Sequence, residues 1–154
     1  MSETKSIADI VPHDPPMVLL DRLVSSNETS LVAEVNITGT TPFFEPNYGV
    51  PAYVGVEYIA QAISAHNGLK DTQKGQEVKP GFLLGSRKIE LNCPYFKEGQ
   101  TLIVSVKVSF NDGEMAVFDG EILLEKEVIV SARINAFQPE NPFDYIETVK
   151  QQHV

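Results

Sequence analysis

Residues 51–66 run Pro-Ala-Tyr-Val-Gly-Val-Glu-Tyr-Ile-Ala-Gln-Ala-Ile-Ser-Ala-His, and Glu57 is the one charge among them. A helix that is apolar or small on every face belongs in a core. The run therefore predicts one buried helix from about Tyr53 to Asn67, with Gly68 as its C-cap. A lone carboxylate there is costly and is expected to neutralise or to find a partner. A carboxyl group that holds its proton near neutral pH can serve as a general acid. The structural alternative is a Glu paired inside the fold or reaching solvent at the helix start.

Strands surround this helix. Met17 to Val24 predicts a first strand. Ser30 to Ile37 alternates strictly, with Leu31, Ala33, Val35 and Ile37 on one face, as a half-buried strand does. Asn27-Glu28-Thr29 supplies the turn between them. Gly39, Pro42, Pro46, Gly49 and Pro51 punctuate a loop, and Lys70 to Lys79 is an exposed polar connection. Gly81–Leu91, Thr101–Phe110, Met115–Leu124 and Val128–Phe137 then predict four strands. Asn111-Asp112-Gly113 is a hairpin turn, and Glu125-Lys126-Glu127 turns the chain again. A helical turn at Ser6–Ile10 and a short C-terminal helix are also expected. The pattern predicts an α+β chain in which a curved antiparallel sheet of about six strands wraps one long buried helix. That is the hot-dog architecture. It leaves an edge strand and part of the helix uncovered, so dimers are expected.

The 154 residues suit a single domain, with a core over about residues 8–139 and a polar tail over 140–154. A net charge of −9 argues against binding nucleic acid or an anionic membrane. Cys93 is the single cysteine, which excludes an internal disulfide and a Cys-rich metal site. No targeting signal or apolar stretch of spanning length is present, and a cytoplasmic location is expected. Neither a metal ligand set nor a phosphate-binding Gly pattern is found, so no cofactor is expected.

Val11-Pro12-His13-Asp14-Pro15-Pro16-Met17-Val18-Leu19-Leu20-Asp21-Arg22 resembles the opening of the hot-dog 3-hydroxyacyl-[acyl-carrier-protein] dehydratases, where Leu-Pro-His-Arg leads into Val-Asp-Arg. Glu57-Tyr58-Ile59-Ala60-Gln61 resembles that family's Glu-Ala-Met-Ala-Gln helix. The segment from Pro51, together with Gly81-Phe82-Leu83-Leu84-Gly85-Ser86-Arg87, is most similar to the branch found in aryl-polyene biosynthetic clusters. The resemblance implies dehydration of 3-hydroxyacyl thioesters held on acyl carrier protein to trans-2-enoyl thioesters, in fatty-acid or polyene-type synthesis. It casts Glu57 as the acid and Gln61 as the residue holding it, one helical turn on. It also casts the Gly55 amide, near the positive helix end, as the group that polarises the thioester carbonyl. Tyr53, Val54, Gly55, Gln61 and Phe44 are expected to line the substrate slot. Arg87 and Lys88 are the weaker candidates for carrier docking, with Arg22, Lys79 and Lys97 as further cations.

The sequence departs from the family at the base. The usual His lies fourteen residues before the acid, and Phe43 stands there instead. His13, in a proline-rich segment, is the candidate base; its alternative is a backbone-bonding role at the start of the first strand. His66 is nine residues past Glu57, on the opposite side of the helix, and is expected in the core or an interface. His153 lies in the polar tail. Two alternatives to a dehydratase remain. One is a thioesterase on the same fold, with Glu57 ionised to activate water. The other is a non-catalytic subunit paired with a catalytic hot-dog partner in a mixed complex; for the chain itself a homodimer, or a heterodimer with another hot-dog subunit, is expected.

Overall fold

The computed structural model describes residues 18–73 and 83–137. Six strands form one antiparallel sheet: β1 (Arg22–Ser26), β2 (Ser30–Asn36), β4 (Leu83–Leu91), β6 (Thr101–Asn111), β7 (Met115–Leu124) and β8 (Glu127–Phe137), in the spatial order β1-β2-β6-β7-β8-β4. A separate two-residue ribbon pairs β3 (Val50–Pro51) with β5 (Tyr95–Phe96). One helix, α1 (Val54–Gln73), packs on the sheet. This is the α+β hot-dog arrangement that the pattern predicts.

Alternation puts the core on one face of the sheet. Register pairs Leu31 with Val106, Ala33 with Val104 and Val35 with Leu102, and all six are fully buried. On β7 and β8, Phe118, Ile122, Val130 and Ile134 continue the layer. Tyr58, Ile59, Ala62 and Ile63 of α1 close it. At roughly 25 cal/mol per Å² of apolar area, this layer supplies most of the drive to fold.

Several boundaries differ from expectation. The helix passes through Gly68 and runs on to Gln73, the last residue described before 83, because a glycine costs only about 1 kcal/mol in a helix that tertiary packing holds. Part of the expected polar connection is thus helical, and 74–82 lie outside the described residues. Residues 18–21 precede β1 as irregular chain, yet Leu19 and Leu20 are buried. In the β3–β5 ribbon, β3 falls at the end of the segment punctuated as loop, and β5 falls between the expected strands Gly81–Leu91 and Thr101–Phe110. The expected turn at Ser6–Ile10, the C-terminal helix and the tail lie outside the described residues. No helix among the described residues is long and apolar enough to cross a membrane.

Candidate active site

The helix is not covered all round. Tyr53 is 68% exposed and Glu57, four residues on, is exposed too, while Val56 and Ala60 beside them are half-buried. The expectation of a buried Glu57 is thereby corrected for the single chain. The reason is geometric. Tyr58, Ile59, Ala62 and Ile63 already face the sheet, and small residues such as Ala60 look apolar in sequence without marking a buried face.

Glu57 nevertheless belongs to a built network. Gln61 Nε2 donates to Glu57 Oε1 across 3.3 Å. Gln61 Oε1 accepts the Leu19 backbone N–H at 2.8 Å, joining α1 to the segment before β1. Gln61 is 1% exposed. Within the chain its side chain lies between the Glu57 carboxyl and the Leu19 amide. The Leu19 amide carries no signal in sequence, since every residue but proline has one.

Gly55 sits at the start of the helix. Its N–H donates to the Ala52 carbonyl at 2.9 Å, so the amide is engaged within the first turn. A Cβ at Gly55 would lie 2.7 Å from Ile122 Cδ1 and 2.9 Å from Phe96 Cζ. The position is glycine because the helix start presses on β5 and β7. Val54 is buried, and Phe44 is half-buried against the core.

Tyr58 stacks on Phe96 with ring centroids 5.9 Å apart. Its hydroxyl is buried without a hydrogen-bond partner. Burial first, and then the Asp21 carboxylate, push its phenol up to about 12. Tyr48, in contrast, is exposed beside Tyr95, with centroids 5.4 Å apart. Phe43, at the place of the missing base, is 60% exposed with φ of 70°, an uncommon backbone for a bulky side chain.

Of the histidines, His66 alone lies among the described residues. It is buried against Phe118, and its Nε2 is 3.2 Å from the Glu28 carbonyl. It serves the packing of α1 on the β1–β2 hairpin. His13 and His153 fall outside the described residues, as do Lys79 and Gly81. The cations expected at a docking patch are partly engaged. Arg22 pairs with Glu34 at 2.7 Å and Lys88 with Glu90 at 3.5 Å; Lys97 is exposed, and the Arg87 side chain is outside the description. A depression of about 600 Å³, lined in part by Lys88, Glu90, Asp119, Glu121 and Arg133, lies on the sheet face away from α1 and does not adjoin Glu57. Among the described residues no group of His, Cys, Asp and Glu could hold a metal ion.

The family model for the ApeP-like dehydratases (ApeP dehydratase) matches residues 5–147. The chain belongs to the ApeP-like dehydratase family. This dehydratase is 29% identical over 138 residues to the 3-hydroxyacyl-[acyl-carrier-protein] dehydratase FabZ of Streptococcus sanguinis, spanning 87% of this chain and 96% of that relative. Against FabZ of Streptococcus agalactiae it is 30% identical over 123 residues, 77% of this chain and 85% of the relative. Among solved structures, the dehydratase heterocomplex ApeI:P from Xenorhabdus doucetiae superposes with a TM-score of 0.87 at 24% identity, covering 96% of this chain and 99% of the matched one. The E. coli PaaI protein from the phenylacetic acid degradation operon shares the fold more loosely, with a TM-score of 0.59 at 15% identity over 75% of this chain and 81% of that one.

Proposed function

We propose that the chain dehydrates 3-hydroxyacyl thioesters carried on acyl carrier protein to trans-2-enoyl thioesters, with Glu57 protonating the departing hydroxyl. Membership of a dehydratase family is the observation that carries this reading. The Leu19–Gln61–Glu57 hydrogen bonds support the role of Glu57, because a general acid must be held in a fixed direction. Burial of Glu57 within one chain no longer supports it.

His13 is the proposed base. Leu19 is bonded into the Glu57 network, and His13 is six residues earlier. A fully extended chain spans at most ~3.3–3.6 Å per residue, so about 20 Å of reach is available. A neutral imidazole there removes the C2 proton, and the Glu57 carboxyl gives its proton to the hydroxyl leaving C3 as water.

A second subunit is part of the proposal. Ile89 and Leu91 are exposed at 44% and 43% on edge strand β4, on the face that α1 covers elsewhere. Glu57 on the helix and Tyr53 just before it are exposed. A hot-dog partner seated on the open side of the helix would remove Glu57 from bulk water. Phe43 at the base position favours a further reading, in which a heterodimer partner supplies the base and this chain is inactive alone. The thioesterase alternative has no specific observation in its favour.

The test is turnover of a 3-hydroxyacyl thioester by the purified protein. Glu57→Gln is expected to abolish it with the fold intact, and retained turnover refutes the acid. His13→Ala is expected to do likewise; a normal rate assigns the base elsewhere. Activity that appears only on adding a second hot-dog chain supports the subunit reading.

A further inference from the structure

We propose that the outer face of the sheet is a two-fold interface between copies of this chain. That face is turned away from α1, so the contact does not depend on the dehydratase reading and leaves the open side of the helix free. Alternation puts Val117, Asp119, Glu121 and Leu123 of β7 on the outer face, because Phe118, Gly120 and Ile122 between them are buried toward the core. Register extends each into a row across the strands. Phe110 stands beside Val117, and Ile103 beside Leu123. Lys107, Asp119, Arg133 and Lys88 form one charged row. Ser105, Glu121, Ser131 and Glu90 form the next.

Along the strands the face thus runs apolar, cationic, acidic, apolar. The first charged row holds three cations and one carboxylate, and that carboxylate, Asp119, already accepts from Arg133 Nε at 2.9 Å. The second row holds two carboxylates and no cation. This order is its own complement under one operation. A two-fold axis lying across the strands, over Gly120 and Ala132, sets the cationic row of each copy on the acidic row of the other. It also sets Phe110 and Val117 of each against Ile103 and Leu123 of the other. Self-complementarity of one patch is what an isologous contact requires. The depression of about 600 Å³ is centred on the same line, with Gly120 and Ala132 lining it between the two charged rows. The ion pair of Lys88 with Glu90, 3.5 Å apart and exposed within one chain, is exchanged between copies and shielded.

The face is large enough. β6 and β8 have 11 residues each, about 35 Å, and six strands about 4.8 Å apart are roughly 25 Å across. The ~800 Å² per partner of a standard interface fits within it. Sheets packed face to face hold their strands within about 30° of each other, so facing rows stay in reach over several strands. The net charge of −9 repels copies at long range, but salt screens that repulsion and the rows act at contact.

Sedimentation velocity on the full chain tests this. The native protein is expected at twice the mass of Lys88→Glu and of Glu90→Lys, because each reversal sets like charges face to face at two places. An equimolar mixture of the two variants is expected to regain the native mass, since every introduced charge then meets its opposite. Both side chains are exposed, and only folded chains can restore one another on mixing. Equal masses for the native chain and both variants overturn the proposal, as does a mixture that stays at the lower mass. Equal masses with Lys88→Glu impaired in holding an acidic carrier would give the face to the carrier and overturn it too.

Discussion

Ile59 of α1 lies directly on Gly120 of β7, where any Cβ would collide with the Ile59 side chain. The helix can approach the sheet this closely only because β7 has no side chain at that point. Gly120→Ala is expected to destabilise the fold by about 1–3 kcal/mol through overpacking. Denaturant melts of Gly120→Ala, Ile59→Ala and the double variant check this. The double variant should lose less than the sum of the two single losses, and simple additivity would show that the contact is not shared.

Tyr58 gives an alkaline signature. Its phenol stands at about 12 in the folded chain against an ordinary 10. Between those values the unfolded chain has released the proton and the folded chain has not. The folded state therefore binds more protons, and stability falls as pH rises through the window. The contribution is complete below about pH 10. Melts from pH 9 to 12 should show this loss, and Tyr58→Phe should flatten it. At neutral pH the same variant removes a hydroxyl without a partner and is expected to be neutral or about 1 kcal/mol stabilising.

The two-residue turn between β7 and β8 is built from residues poorly suited to it. Glu125 and Lys126 have φ of 51° and 71°, the left-handed pair that short hairpins use and that Asn-Gly fits best. Lys126→Gly is expected to raise stability by about 1 kcal/mol. An unchanged or lower melting temperature would count against that reading of the turn.

Gly49 is expected to be intolerant for two reasons. Its φ is 115°, and a Cβ would run into the Phe96 carbonyl. Gly49→Ala should displace the β3–β5 ribbon and cost at least about 1–3 kcal/mol. A melt like that of the parent chain would contradict it.

The long strands were legible in sequence because side-chain period two survives wherever one face is buried, as in Leu31, Ala33 and Val35. The helix was legible in place but not in exposure. Ala60 offers no polarity to show which side of α1 the sheet leaves open, the polar Ser64 is buried, and the open side depends on residues far away in sequence. Gly68 failed as a stop because packing outweighs propensity. Glu57 and Gln61 were legible through their spacing of four. The Leu19 amide was not, since a backbone N–H has no sequence signature. Nor was the engaged amide of Gly55, which depends on how the chain enters the helix at Ala52.

The central claim concerns what happens to the thioester. The most direct measurement is the mass of a carrier loaded with a 3-hydroxyacyl chain after incubation with the purified protein. A dehydratase acting through Glu57 predicts a carrier lighter by one water with its acyl chain still attached, and no such loss with Glu57→Gln. Recovery of the free carrier thiol, or an equal loss of water with Glu57→Gln, would contradict the account.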